Sequence, residues 1–221
     1  MPIKIVFKFK STKMNKIKVD LAAIAQIFDI NDPNDCPHLK DWLDAKVTLD
    51  DLEQKIFDVT YKNIVDLGDS WNEEELRVRL IGNLFLIADI EHFNQVRLFY
   101  ERPLAAVVNG YDLAVICDCL VASARLKAPV APYFFLQELK KAKGEKKDPE
   151  AQMLIAMLIA QHLNNDKKPI YGSYLLGTSW RFTTLIGNDY CVSRKFEAAN
   201  ASDFLQIVAI LRKLKSLIIN R

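Results

Sequence analysis

The spacing of apolar residues changes several times along this chain, and each change predicts an element. Ile3 to Phe9 alternates as Ile-Lys-Ile-Val-Phe-Lys-Phe and predicts a short strand, with a turn at Ser11-Thr12-Lys13. From Asp20 to Phe28, Leu21, Ile24, Ala25 and Phe28 share one helical face behind an Asp20 N-cap. Asp32-Pro33-Asn34-Asp35 ends that helix. Helices are also expected over His38 to Ala45 and Thr48 to Leu67, the second with Asp50 and Asp51 where a helix dipole favours negative charge. After Gly68-Asp69-Ser70 the pattern restarts. Asn72 caps a helix over Glu73 to Asp89, with Leu80, Ile81, Leu84, Phe85 and Ala88 on its inner side.

Strands dominate next. Gln95 to Tyr100 and Leu104 to Val108 read as short strands parted by Arg102-Pro103, Leu113 to Ala122 as a longer one, and Tyr133 to Leu139 as another after a turn at Pro129 and Pro132. Asp148-Pro149 opens a helix to about Leu163. Ile170 to Leu176, Trp180 to Ile186 and Tyr190 to Arg194 are three more strands, and Ala201 to Ile219 a closing helix. There is no internal repeat. The order predicts an α/β fold, a mixed sheet flanked by helices, in which the Asp148 helix crosses over to a parallel strand. Residues 1–70 are expected to be a mostly helical, acidic N-terminal extension, and residues 71–221 the α/β domain.

Composition narrows the class. With 221 residues, 50% of them hydrophobic and 26% charged, disordered and low-complexity chains are excluded. No apolar run approaches the roughly 18 residues of a membrane span, and no signal-peptide pattern follows Met1, so the expectation is a cytoplasmic protein without a membrane. The net charge of +2 conceals three blocks: six lysines and no acids over 1–18, four lysines against fifteen acids over 19–75, and twenty bases against thirteen acids over 76–221. A solvated acidic face is the default reading of the middle block; basic carboxy-terminal surface approaching a polyanion is the alternative. Residues 1–70 are also the expected surface for a homo-oligomer or protein partner. Cys117 and Cys119 read as same-face strand neighbours, and all four cysteines as small buried hydrophobes in a reducing compartment. His38, His92 and His162 lack partners at metal-ligand spacing.

The chemistry concentrates between Leu113 and Lys143. Asp118 interrupts the apolar run Ala114-Val115-Ile116-Cys117-Asp118-Cys119-Leu120-Val121, where an unpaired carboxylate is expensive. The next strand, Tyr133-Phe134-Phe135-Leu136-Gln137-Glu138-Leu139-Lys140, ends with Glu138 and Lys140 two apart and so on one face. Paired strands would bring Asp118, Glu138 and Lys140 together. Two carboxylates and a backbone carbonyl, that of Leu139, suit Mg²⁺ with several waters retained, and such an ion activates water for phosphodiester hydrolysis. Lys140 would orient that water or neutralise developing charge.

Asp118 followed about twenty residues later by Glu138-Leu139-Lys140, within helix, three strands, helix, strand over residues 72–176, resembles the PD-(D/E)xK nuclease superfamily, with its restriction-endonuclease-like fold. The longer runs Pro132 to Lys141, Asp148 to Met157 and Pro169 to Gly172 resemble uncharacterised bacterial proteins of that superfamily. The resemblance implies Asp118 and Glu138 as ligands of Mg²⁺, with Mn²⁺ as an alternative, Lys140 as an active-site residue, Glu73 or Glu74 as a helical acid, Gln152 as an assisting residue, and nucleic acid, in the first place DNA, as substrate. Asn72 to Ile81 is similar to the opening of the nuclease region in type I restriction subunits, which favours Glu73. Cys117 stands where many members have proline, and Asp112 competes for the first acidic position; its place in an expected turn favours Asp118.

Plainer readings exist for each residue. Glu138 and Lys140 could form an exposed pair of little energetic worth, and Asp118 could belong to a structural network with a core arginine or tyrosine. Glu73 to Glu75 suit a helix start on electrostatic grounds alone. The lysine run Lys140, Lys141, Lys143, Lys146 and Lys147 reads as a solvated loop or as phosphate contacts, Trp180, Phe182 and Tyr190 as sheet packing before base stacking. A phosphate-binding NTPase is disfavoured by the absence of Gly-x-x-x-x-Gly-Lys-Ser/Thr. The competing function is a non-catalytic binding or assembly protein on the same fold.

Overall fold

The computed structural model describes residues 20–141 and 148–221. The expected strand at Ile3 to Phe9 and Lys143, Lys146 and Lys147 lie outside them. Among the described residues, seven α-helices and eight strands run in the order α1 (Leu21–Phe28), α2 (Pro37–Leu43), α3 (Asp51–Leu67), α4 (Glu73–Leu76), α5 (Gly82–Ile87), β1 (His92–Phe93), β2 (Val96–Val108), β3 (Tyr111–Arg125), β4 (Ala128–Lys140), α6 (Pro149–Asn164), β5 (Ile170–Leu176), β6 (Ser179–Ile186), β7 (Asp189–Val192), β8 (Phe196–Glu197) and α7 (Ala201–Ile219). A π-helical turn, Arg77–Ile81, joins α4 to α5.

The strands form an open mixed sheet in the order β1-β2-β3-β4-β5-β6-β7, with β8 beside β6. All pairings are antiparallel except β4 with β5, which α6 connects as the expected crossover. Helices cover both faces. On one, α2, α3, α4, α5 and α7 enclose a core that includes Trp42, Phe85, Phe135, Phe182 and Phe204. On the other, α6 and α1 pack over Leu120, Leu136, Tyr174 and Leu185. Helix α6 is apolar nearly all round, with every residue from Met153 to Ala160 buried, because it lies between the sheet and α1.

Caps set the helix starts. Asp20 accepts from the Ala22 and Ala23 amides, Asp50 and Glu53 form a capping box, and Asn72 and Glu75 form another. Helix α3 therefore begins at Asp51 rather than Thr48.

Several expectations change. The two short strands parted at Arg102-Pro103 are one thirteen-residue strand, β2. Among the described residues its only partner at Pro103 is Ile116 of β3, because β1 pairs with β2 no further than Arg97, and an edge tolerates the missing N–H. Pro129 and Pro132 lie inside β4; the turn is at Leu126 and Lys127, both left-handed with φ 49° and 65°, as a two-residue hairpin loop requires. Cys117 and Cys119 do not share a face: Cys117 belongs to the α6 side and Cys119 to the opposite core. The hairpin reverses its faces at Glu101 and Asp118, with Glu101 at φ 49°. The cysteines are not all free either, since Cys36 and Cys191 are joined in a disulfide 155 residues apart in sequence.

The described part of the expected extension contributes to the main core. Trp42 is fully buried, its ring centroid 4.9 Å from that of Tyr171 and 5.1 Å from that of Phe182, and its indole N–H donates to the Ile210 carbonyl at 2.8 Å. Among the described residues no helix is long and apolar enough to cross a membrane.

Candidate active site

The α6 side of the sheet carries the polar residues singled out by the sequence. Strands β3 and β4 pair through Cys119 and Gln137, so Asp118 and Glu138 follow as the next residues on the two strands. The Leu139 amide donates to Asp118 Oδ2 at 2.8 Å, tying the carboxylate to β4 where the ladder ends. Glu138 is 1% exposed and its Oε1 has no hydrogen-bond partner among the described residues. Burial pushes the Glu138 carboxyl up to about 9; the adjacent Asp118 charge and a hydrogen bond with Asp118 add to the rise, and Lys140 opposes it. At neutral pH Glu138 thus holds a proton.

Lys140 is buried. Its Nζ donates to the Leu139 carbonyl at 3.0 Å and lies 3.8 Å from Glu73 Oε1. Leu139 O is therefore engaged by this ammonium and has one lone pair left for a cation. The two candidate helical acids separate: Glu73 reaches Lys140, whereas the exposed Glu74 turns to Arg77 at 2.9 Å. Gln152, in the first turns of α6, faces the same cleft, and its buried Oε1 has no partner among the described residues. Asp112 is exposed near the hairpin tip and does not line the cleft.

This cleft, of about 470 Å³, has Asp118, Glu138 and Lys140 at its floor, Ala114, Val115 and Ile116 of β3 along one wall, and Gln152 and Ile155 of α6 along the other. Arg77, which no sequence pattern places near Asp118, lies beside the cleft rather than along its lining. The guanidinium is 2.7 Å from Glu101 and 3.5 Å from Asp118 Oδ1, at the first residue of the π turn. Its buried Nε is unpartnered. In the sequence Arg77 is visible only as a basic residue one turn after Glu73, and 41 residues separate it from Asp118. Asp118 thus does have the core arginine of the structural reading.

Among the described residues no group of three or more His, Cys, Asp and Glu side chains is arranged to hold a metal. What is present is a pair of hard oxygen donors, one of them with an orphaned buried oxygen, which fits Mg²⁺ or Mn²⁺ bound by two carboxylates with waters in the remaining positions. Helix α7, Trp180 and Phe182 are remote from this chemistry: Trp180 and Phe182 are fully buried in the opposite core and offer no stacking platform. Tyr190 is buried against α6. No protein-family model matches the chain, and no curated protein matches it either.

Proposed function

We propose that this protein is a divalent-metal-dependent nuclease of the restriction-endonuclease-like kind, hydrolysing phosphodiester bonds of nucleic acid. The observation that carries the reading is the convergence of Asp118, Glu138 and Lys140 from adjacent strands on the floor of one open cleft. Asp118 and Glu138 would hold Mg²⁺ or Mn²⁺, which when bound supplies an activated water and stabilises charge on the phosphate. Asp118 is fixed for that role by the Leu139 amide and Arg77. Glu138 has to release its proton to become a ligand, and Lys140 keeps its ammonium near it, anchored by Leu139 O and Glu73. That ammonium is placed to orient the water or to neutralise the phosphate as charge develops. Gln152 offers an amide oxygen from the α6 wall.

A second reading, a non-catalytic binding or assembly protein on the same fold, has its own support: both Asp118 oxygens already have partners, and among the described residues the acids lining the cleft number only two. A cleavage assay on DNA and RNA with Mg²⁺ or Mn²⁺ separates the two. The nuclease reading expects cleavage by the wild-type protein and a loss of at least about 10²-fold in Glu138→Ala and Lys140→Ala, with circular dichroism unchanged. Activity retained in both variants would remove these residues from the mechanism.

A further inference from the structure

A second cavity, of about 450 Å³, lies on the α6 face of the sheet between α1, α6 and the strands β5 to β7, and its volume suits a small molecule. Helix α6 separates it from the cleft of Asp118. Glu150 and Leu154, one turn apart, line the second cavity, whereas Gln152 and Ile155 line the cleft. Leu21 and Ala25 of α1 face Leu154 as apolar walls, and the charged lining residues are the half-buried Glu150 and Arg181 and the exposed Asp32.

Arg181 on β6 and Tyr174 on β5 are register partners, and the Tyr174 hydroxyl donates to Glu150 Oε2. Opposite charges in one partly buried site attract, yet no ion pair joins Glu150 to Arg181. Each is held by another partner, since Arg181 Nη1 donates to the Ser193 carbonyl at 2.8 Å while Glu150 stays on Tyr174. Among the described residues, the remaining Arg181 donors and Glu150 Oε1 make no hydrogen bond. Tyr190 in the cavity wall is 5% exposed, and its hydroxyl also has no partner among the described residues. A cation and an anion fixed apart among apolar walls match a molecule that carries both opposite charges and an apolar body. We infer that this cavity binds a free amino acid with an apolar side chain, its carboxylate on Arg181, its ammonium on Glu150, and its side chain against Leu21, Ala25 and Leu154. Charge decides against other small ligands: Glu150 and Asp32 outnumber Arg181, so a dianion such as a phosphate monoester is repelled, and a simple amine leaves Arg181 unused.

The test is calorimetric titration of the full chain at neutral pH with L-leucine and L-phenylalanine. Each is run beside its analogue without the carboxylate (3-methylbutylamine, 2-phenylethylamine) and its analogue without the ammonium (4-methylpentanoate, 3-phenylpropanoate). At least one amino acid should bind saturably, and both of its analogues about tenfold or more weakly, the scale of one lost charged hydrogen bond. Arg181→Gln and Glu150→Gln, which keep a donor for Ser193 and an acceptor for Tyr174, should each weaken the amino acid about tenfold, with Arg181→Gln leaving the amine unchanged. The analogues probe the same two contacts in the wild-type protein, so the inference stays testable even where a variant does not fold. No binding of either amino acid, an amine or acid that binds as tightly as its parent, or binding indifferent to both folded variants overturns it. None of these outcomes depends on whether the protein cleaves nucleic acid.

Discussion

Glu138 is the residue whose physics is most unusual. A carboxyl in this position, with its proton held to about 9 against an ordinary value of 4.5, makes folding depend on pH in a defined direction. Between those two values the folded state keeps a proton that the unfolded chain has lost, so stability falls as pH rises through that window and levels off above it. Glu138→Gln removes the titration. Urea denaturation at about pH 5 and about pH 8 should show the wild-type protein losing more stability over this interval than the variant; equal losses would mean that Glu138 is not held protonated. The site residues Asp118, Glu138 and Lys140 were legible in the sequence because charges interrupting apolar strands need a reason to be there. Arg77 was not, because its carboxylate partners Glu101 and Asp118 come to it only through the fold.

At the scale of elements, helices were read nearly to their ends, since caps such as Asp20, Asn72 and Asp148 are local signals. The β2–β3 hairpin was not. Arg102-Pro103 reads as a break, yet a strand edge accommodates it, and the reversal of faces at Glu101 and Asp118 has no sequence signature. This reversal places Asp118 at the corner of the hairpin, where Arg77 spans from the start of the π turn to it and to Glu101. Arg77→Met should therefore loosen the corner. The expected result is a destabilisation of about 1–3 kcal/mol, the scale of unpairing partly buried charged groups, with amide exchange accelerated around residues 99–103 and 116–120. Exchange rates like those of the wild-type protein would show that the hairpin sets its own corner.

For the whole molecule, the sequence conveyed a sheet between helices and the single parallel pairing, because α6 is long, capped and flanked by strands. It did not convey how residues 20–70 are used. Their acidity suggested a separate extension, whereas Leu39, Trp42, Phe57 and Ile64 pack in the same core as Phe135 and Phe204, and Cys36 is tied to Cys191 of β7. Periodicity shows which face of a helix is apolar and not what that face meets. Trp42→Ala should cost about 3–5 kcal/mol and lower a single cooperative unfolding transition seen by both fluorescence and circular dichroism. A variant that unfolds in two steps, with the later one unchanged, would make residues 20–70 an independent unit.

The central claim is that Asp118 and Glu138 form a divalent-cation site, and calorimetric titration of Mn²⁺ into the wild-type protein and Asp118→Asn tests it most directly. The account predicts saturable binding to the wild-type protein, accompanied by proton release as the ion displaces the Glu138 proton, and loss of at least about tenfold in affinity in the variant. No binding by the wild-type protein, or equal binding by both, would contradict it.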